Sequence, residues 1–325
     1  MPRVLLIGMG PTSLSALESL AARLEVVGLV RETPAGRDAA WEVAQRLGIP
    51  CWPDTAPAAV DALVAELRPD CVVVSSYNRI LSAATLARSR FVNVHYAPLP
   101  QYRGRANVNW AIINGEPLAA ISIHVMVPEL DAGNILLQRT VPIRETDTVL
   151  DLYERLNAIQ RQHLADVVLR HLAGYAGEPQ DEAQATYGCA RLPEDGEIDW
   201  AAPSDAIVRL VRALAAPYPG AYSYVRGRRL TIWRAAVPER APRYVGRVPG
   251  RVVRRDRAAG TVDVLSGDGV VRLAEVQLDG EEIRPAAEVI RSTRETLGLR
   301  VGDLLDRIAA LEREVAQLAA RRARE

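Results

Sequence analysis

The sequence predicts an α/β protein in which a doubly wound parallel sheet is followed by a small antiparallel barrel and a C-terminal helix. In the first half, short β-branched runs alternate with amphipathic stretches of helical period, which is typical of parallel sheets. Short strand-like runs separated by glycines follow, as in small antiparallel barrels. We therefore expect a first domain at 1–188, a second at 189–300 and an amphipathic helix at 301–325.

Four apolar runs predict the parallel strands of the first domain: Val4–Gly8, Glu25–Val30, Cys71–Ser75 and Phe91–His95. Between them, apolar residues at helical spacing predict three helices: Pro11–Leu24, Arg37–Leu47 and Pro57–Leu67. The proline that opens the third helix is tolerated because the first N–H groups of a helix have no intrahelical partner. Three later patterns predict two strands and a long helix, in this order: Ala120–Val127, Ile135–Pro142 and Asp147–Gly174.

The second domain opens with a predicted helix at Ser204–Ala215, after a polar linker at Gly177–Gln184. Strand-like runs follow, five in all: Ala221–Val225, Leu230–Val237, Gly250–Arg254, Thr261–Leu265 and Val270–Gln277.

Composition excludes several classes of function. The 325 residues are 49% hydrophobic and 25% charged, which is ordinary for a globular protein with two cores. All 40 basic residues are arginine, so Schiff-base chemistry and a Walker-type phosphate loop, which both need lysine, are excluded. The net charge of zero argues against a dominant nucleic-acid surface.

The cysteines and the apolar runs bear on metal binding and location. Cys51, Cys71 and Cys189 have no motif spacing, so neither a zinc site nor a disulfide framework is indicated. The N-terminal apolar run is too short for a signal peptide, and no run approaches the roughly 18 residues of a membrane span. We expect a cytoplasmic protein with no metal and no membrane partner.

The run that ends at His95 carries the candidate chemistry. Asn93 and His95 are two residues apart and therefore point to the same face of an extended strand. Pro98 and Pro100 end the strand because proline donates no ladder hydrogen bond. An amide and an imidazole thus lie at the carboxyl end of a strand, where open α/β sheets bind their ligands.

Three motifs carry a resemblance to a known family: Asn93-x-His95, then Leu99-Pro-x-Tyr-Arg-Gly104, then Asp131-x-Gly133. In this order they resemble the folate-dependent formyltransferases, most of all the amino-sugar N-formyltransferase domain of the bifunctional polymyxin-resistance enzyme, and also methionyl-tRNA formyltransferase. The resemblance implies that 1–188 is the catalytic domain and that the barrel is OB-like. It implies transfer of formyl from formyltetrahydrofolate, without a metal, to a primary amine, with Asn93, His95 and Asp131 as catalytic residues.

The resemblance also suggests binding residues. Tyr77, Arg79, Ile80 and Leu81 follow a strand and are expected to line the pterin pocket; the alternative is a plain strand–helix connection. Four residues near the motifs are candidates for contact with the acceptor: Tyr96, Arg103, Arg105 and Asn109. The two arginines could hold a phosphate bidentately or could form ordinary salt bridges. His124 is expected to line the pocket or to serve the structure rather than the chemistry.

The acceptor amine remains open at this point. A nucleotide-linked amino sugar is the first hypothesis, because residues 103–116 and 217–224 resemble the sugar enzymes. Initiator methionyl-tRNA and an ornithine-type siderophore precursor are alternatives among enzymes. A catalytically inactive formyltransferase fold that senses folate or acts as a scaffold is the non-enzyme alternative.

The C-terminal helix predicts a homodimer. Its apolar residues are spaced four, three, four and three apart: Leu304, Ile308, Leu311, Val315 and Leu318. β-branched residues at a and leucine at d favour two parallel strands, and Arg307 at g would face Glu312 at e of the partner helix. The alternative is an amphipathic helix that packs on its own barrel.

Overall fold

A computed structural model of the chain describes residues 1–10, 12–32, 38–299 and 301–322. The starts predicted for two helices, Pro11 and Arg37, and the last three residues of the predicted C-terminal helix lie outside these ranges. The chain forms two compact units. One contains residues 1–111 and 116–191, and the other contains residues 112–115 and the chain from Leu192 onward.

Among the described residues before 192 there are nine strands, and most are those that the sequence predicts. They are β1 (Arg3–Gly8), β2 (Glu25–Val30), β3 (Cys51–Trp52), β4 (Cys71–Ser75), β5 (Arg90–His95), β6 (Arg103–Gly104), β7 (Leu118–Val125), β8 (Ile135–Pro142) and β9 (Tyr187–Gly188). Seven form one sheet in the order β3-β2-β1-β4-β5-β7-β8, and β6 pairs with β9 separately. The sheet is mixed rather than wholly parallel. The strands from β3 to β5 pair in parallel, whereas β7 is antiparallel to both β5 and β8. A hairpin connection between β7 and β8 is too short for the crossover that parallel strands need.

The helices of this region are α1 (Ser13–Ala21), α2 (Ala39–Arg46), α3 (Pro57–Leu67), α4 (Ala83–Leu86), α5 (Asn107–Asn114) and α6 (Val149–Leu172), with a 3-10 turn at Glu182–Gln184. α6 begins with a capping box between Thr148 and Asp151, which satisfies two N–H groups of its first turn. α5 was not predicted, because its polar first turn has weak helix propensity.

The sheet positions the site because its central strands are buried on both faces. Alternate residues of β1 and β4, such as Leu5 and Val72, pack with Val60 and Val64 of α3 in one core cluster. Strands buried in this way fix their register, since a slip of one residue would exchange the two faces.

The second unit contains α7 (Ser204–Ala213), β10 (Ala221–Val225), β11 (Arg228–Ala236), β12 (Val252–Asp256), β13 (Thr261–Leu265), β14 (Val270–Leu278), β15 (Arg284–Pro285), α8 (Ala286–Val289) and α9 (Val301–Arg322), with a 3-10 turn at Pro193–Gly196. Its antiparallel sheet has the order β10-β11-β14-β13-β12, with β15 beside β14. The predicted fold class is therefore confirmed: an α/β sheet, a separate antiparallel sheet and a C-terminal helix. The OB-like closure of the second sheet stays a prediction.

Across the part of the chain that the structure describes, no helix combines the length and the apolar character needed to cross a membrane.

Candidate active site

β5 and β7 bring two polar pairs side by side. The strands are antiparallel, and their register sets Asn93 opposite His124 and His95 opposite Ser122. The neighbours Val92 and Val94 are buried on the other face, as strand alternation requires. His124, which the sequence suggested only as a lining or structural residue, is thereby a direct neighbour of Asn93.

Asp131 reaches this pair from the connection between β7 and β8. Its φ of 51° is left-handed, an uncommon conformation for a residue other than glycine. Gln180 supports the turn, since its Nε2 donates to the carbonyls of Asp131 and Gly133, both at 2.7 Å. A Cβ on Gly133 would lie only 1.9 Å from the carbonyl oxygen of Val125. The Asp-x-Gly motif is therefore a steric requirement of this turn.

The Asp131 carboxylate is the centre of the cluster. Its Oδ1 accepts a hydrogen bond from Asn93 Nδ2 at 3.3 Å and lies 3.5 Å from His124 Nε2. Its Oδ2 accepts one from the backbone N–H of Gly104 at 2.9 Å and lies 3.6 Å from His95 Nδ1. Asn93 Nδ2 is also 3.1 Å from His124 Nε2. One carboxylate thus touches an amide, two imidazoles and a backbone donor.

Burial and these contacts set the ionisation of the cluster. Burial acts to raise the pKa of Asp131, but His124, His95 and the Gly104 N–H outweigh it and hold that pKa well below its usual range. Burial lowers the pKa of His95, and this effect exceeds the opposing effects of Asp131 and the Tyr102 carbonyl. Near neutral pH the site therefore holds a carboxylate beside a neutral His95.

The other ring nitrogen of His95 is enclosed by protein groups. Nε2 lies 2.8 Å from the carbonyl oxygen of Tyr102 and 3.0 Å from Nδ2 of Asn107, the first residue of α5. Nδ1 is consequently the nitrogen that faces Asp131. Sequence reasoning missed Asn107 and favoured Asn109, which is buried on the same helix.

The loop after β4 presents an apolar side chain to solvent. Ile80 is 83% exposed, whereas Leu81 is buried. Tyr77 donates its hydroxyl to the carbonyl of Thr55 at 2.8 Å, and Arg79 lies 3.7 Å from Glu32. The loop is thus tied down at Tyr77 and leaves Ile80 uncovered within this chain.

The two candidate phosphate ligands differ in their surroundings. Arg103 is 1% exposed; its Nη1 and Nη2 donate to the two carboxylate oxygens of Glu182 at 2.8 and 2.5 Å, and Nη2 also donates to Gln180 Oε1. Arg103 is therefore held by protein groups and supports Gln180, which in turn holds the Asp131 turn. Arg105 is exposed and donates to the carbonyl of Asn78 in the loop after β4.

Tyr96 is directed towards α6 rather than towards Asp131. Its hydroxyl lies 2.7 Å from Asn157 Oδ1 and 2.5 Å from Gln160 Oε1, and its ring packs on Tyr153. Burial raises the pKa of Tyr96 well above its usual value. The side chain therefore links the end of β5 to α6, and its contact with an acceptor stays a prediction.

The arrangement suits acyl-type transfer to a nucleophile. Asn93 offers an amide N–H to an oxygen that gains negative charge, and His95 with Asp131 offers groups that can hold or pass a proton. Within the described ranges, no group of three or more His, Cys, Asp and Glu residues could hold a metal ion.

A methyl group at Gly133 should disturb the site. Gly133→Ala is expected to lower the free energy of unfolding by about 1–3 kcal/mol and to reduce turnover, because its Cβ would overlap the Val125 carbonyl and shift Asp131. Urea unfolding and steady-state rates measure the two effects. The matched control is Gly246→Ala, where no atom lies within 4 Å of the added Cβ. Equal behaviour of the two variants would contradict the steric argument.

The lowered pKa of His95 predicts a pH dependence of stability. The unfolded chain takes up a proton at His95 near pH 6.5, more readily than the folded chain does. The free energy of unfolding should therefore decrease as the pH falls below about 6.5. Urea unfolding from pH 5 to 8 measures this slope. His95→Gln should make it shallower, and an unchanged slope would show that His95 does not contribute.

Comparison with known proteins identifies the family. Residues 52–168 match the family described as formyl transferase, and residues 192–294 match the formyl transferase C-terminal domain. HypX from Aquifex aeolicus in complex with tetrahydrofolic acid has a TM-score of 0.61 at 19% identity, covering 90% of this chain and 47% of that one. This chain therefore spans about half the length of the HypX structures that it matches.

Two bacterial transferases share the fold. A 4-N formyltransferase from Francisella tularensis has a TM-score of 0.57 at 17% identity, covering 68% of this chain and 91% of that one. A candidate sugar N-formyltransferase from Mycobacterium tuberculosis has a TM-score of 0.59 at 22% identity, covering 74% and 100%. At these identities the structures show the fold, while the two matched families extend over both units. The two matches together extend over more than half of the chain, which belongs to the formyl transferase family.

Proposed function

We propose that this enzyme transfers a formyl group from formyltetrahydrofolate to the primary amine of a nucleotide-linked amino sugar. The observation that carries the proposal is the contact of Asp131 with Asn93, His95 and His124 at the carboxyl end of β5. The formyl transferase family and the HypX complex with tetrahydrofolic acid support the donor, and the candidate sugar N-formyltransferase that shares the fold supports the acceptor class.

Attack by the amine places negative charge on the formyl oxygen. Asn93 is the donor for that oxygen; its Nδ2 now contacts Asp131 Oδ1 and His124 Nε2, so one of these contacts is exchanged for the substrate. The acceptor nitrogen bonds to the formyl carbon and loses a proton, while the folate nitrogen leaves and gains one. His95 and Asp131 are the groups in this cluster that carry the proton between them.

The loop after β4 is the proposed contact for the donor. A pterin needs hydrogen bonds from backbone groups and an apolar surface for its ring. The exposed Ile80 supplies apolar surface, and the backbone from Tyr77 to Leu81 supplies donors and acceptors. Arg105, which contacts Asn78 of this loop, is the better candidate for acceptor phosphate, because Arg103 is already paired with Glu182.

A competition among acceptors tests the proposal. The protein is incubated with formyltetrahydrofolate and with UDP- and dTDP-linked amino sugars, ornithine or initiator methionyl-tRNA, and formylated products are measured by mass spectrometry. We expect a sugar product that disappears in His95→Gln. Formylation of the tRNA or of ornithine alone would overturn the sugar proposal. Binding of the donor without any product would favour the inactive, folate-sensing alternative.

We further propose that α9 forms a parallel coiled coil with a second copy of this chain. Its seam residues are 42–64% exposed in the single chain: Leu304, Ile308, Leu311, Val315 and Leu318. This exposure disfavours the alternative in which the helix packs on its own sheet. Burying such a seam removes apolar surface from water, and Arg307 meets Glu312 of the partner subunit with opposite charge.

Light scattering after size exclusion measures the proposed dimer. The full chain should have twice the mass of one chain, and a version that ends at Gly302 should be a monomer. Leu311→Glu should also give a monomer, because it charges the seam. Ala310→Glu, one residue away at an outer heptad position, is the matched control and should remain dimeric. A monomeric full chain, or a dimer after truncation, would contradict the proposal.

A further inference from the structure

The ring of His95 has two neighbours at Nε2 that favour opposite protonation states. The Tyr102 carbonyl oxygen at 2.8 Å only accepts and therefore favours an N–H at Nε2. Asn107 Nδ2 at 3.0 Å only donates and therefore favours a bare Nε2. The choice decides where neutral His95 carries its single proton, and hence what Nδ1 presents to the reaction.

The carbonyl of Gly104 holds the Asn107 amide with its nitrogen towards His95. Nδ2 also donates to the carbonyl of Gly104 at 3.3 Å, so both of its hydrogens are directed to acceptors when Nε2 is bare. The oxygen Oδ1 is buried without a hydrogen-bond partner among the described residues. It lies against Gly188, where an added Cβ would be only 2.5 Å from it. The packing therefore leaves no room for a side chain at position 188.

The remaining neighbours of His95 agree with a proton on Nδ1. The ionisable groups beside it in the described ranges are Asp131, 3.6 Å from Nδ1, and His124, whose ring centre is 6.3 Å away. A carboxylate facing Nδ1 favours an N–H there over a lone pair. Asp131 and Asn107 thus act in the same direction, and the Tyr102 carbonyl alone opposes them.

We propose that Asn107 is a positioning residue that keeps Nε2 of His95 unprotonated, so that neutral His95 presents an N–H at Nδ1. This inference rests on the proposed role of His95 in formyl transfer. The N–H of neutral His95 then lies at Nδ1, 3.6 Å from Asp131 Oδ2, and can be exchanged from that carboxylate to the oxygen that becomes negative, beside the donor Asn93. This N–H is present above the pKa of His95 as well as below it. Asn107 touches His95 and acts through it.

Nitrogen NMR of the histidine rings tests the tautomer without any need for activity. The chain has only four histidines, and each signal is assigned by its His→Gln variant. In the wild type, neutral His95 should be protonated at Nδ1. In Asn107→Leu, of similar size but without the donor, the proton should move to Nε2, because the Tyr102 carbonyl at 2.8 Å is then within hydrogen-bond distance of the ring whereas Asp131 is 3.6 Å from Nδ1. His124, whose Nδ1 contacts the Val125 carbonyl, should keep its signal and is the internal control.

Asn107→Asp gives the converse test. A carboxylate 3 Å from Nε2 accepts rather than donates, so the pKa of His95 should rise by about 1–3. Both variants should lower kcat on the order of 10²-fold with little change in KM, because ring orientation rather than substrate binding is altered. The pH profile of kcat should move to higher pH in Asn107→Asp only.

The outcomes separate this inference from the proposed function. A wild-type His95 protonated at Nε2, or an unchanged tautomer in Asn107→Leu, would overturn the inference whatever the activity. If the NMR results are as expected but His95→Gln retains full turnover, the role of Asn107 stands and the role of His95 in formyl transfer fails.

Discussion

Replacement of His95 by glutamine is expected to lower kcat on the order of 10²–10⁴-fold, as the loss of a general acid–base group does. His95 is buried between Asp131 on one side and Asn107 and the Tyr102 carbonyl on the other. A water molecule therefore does not readily take over its role in proton transfer. Glutamine retains polar atoms and similar length, which limits the effect on folding. The rate is measured as tetrahydrofolate release with the acceptor found in the competition experiment.

The control for this variant is another histidine on the same unit. His163→Gln alters a half-buried side chain on α6 and should leave turnover unchanged. Asp131→Asn should resemble His95→Gln, because an amide carries no negative charge and has one accepting oxygen, whereas both oxygens of Asp131 accept N–H groups. Wild-type turnover in both His95→Gln and Asp131→Asn would show that the cluster is not the catalytic site.

Asn93→Ala is expected to reduce kcat by about 10²–10³-fold, the usual effect of removing one oxyanion donor. The substrate carbonyl gains charge mainly in the transition state, so KM should change little. Asn93→Asp is the more specific variant, because aspartate keeps the shape of the side chain. It places a second carboxylate close to Asp131, whose Oδ1 lies 3.3 Å from Nδ2 of Asn93 in the wild type. A large rise in KM with kcat unchanged would instead assign Asn93 to substrate binding. Thermal unfolding of both variants checks that the fold is retained.

The fold follows from patterns that are local in sequence. β2 and β4 lie at their predicted bounds, and β13 also begins at Thr261 and ends at Leu265 as expected. Such strands are predictable because a β-branched run between turn residues fits few types of secondary structure other than a strand. The two-residue strands β3, β6, β9 and β15 have no pattern of their own, since the pairing partner determines them.

Strand alternation alone predicts only the part of the candidate site that lies on one strand, whereas Asp131 was expected from the family resemblance. Asn93 and His95 lie on the same face because side chains alternate along a strand, and their spacing of two residues is visible in the sequence. His124 joins them through the antiparallel register of β5 and β7, and Asn107 reaches His95 across a loop. Neither contact has a fixed spacing in the sequence. The isolated histidine in an alternating segment was the one available signal for His124.

Arg103, in contrast, was noticed in the sequence, but its chemistry allows more than one role. A guanidinium binds a carboxylate of the protein as well as it binds a phosphate of a ligand, and both give bidentate geometry. Glu182 and Gln180, nearly 80 residues away, occupy it here. Burial, which decides between the two roles, depends on the fold around the side chain.

The pairing of β6 with β9 also sets the order in which parts of the site can form during synthesis of the chain. Gly104, whose N–H holds Asp131, is itself paired with Gly188, and the neighbouring bond from Tyr102 to Thr186 spans 84 residues of chain. A ribosome adding 5–20 residues per second needs roughly 4–17 s to make that interval. During this time the strand with His95 has been made but the ribbon that steadies Asp131 does not yet exist. A nascent chain can therefore complete its parallel strands well before the contact between Gly104 and Asp131 is steadied by the ribbon.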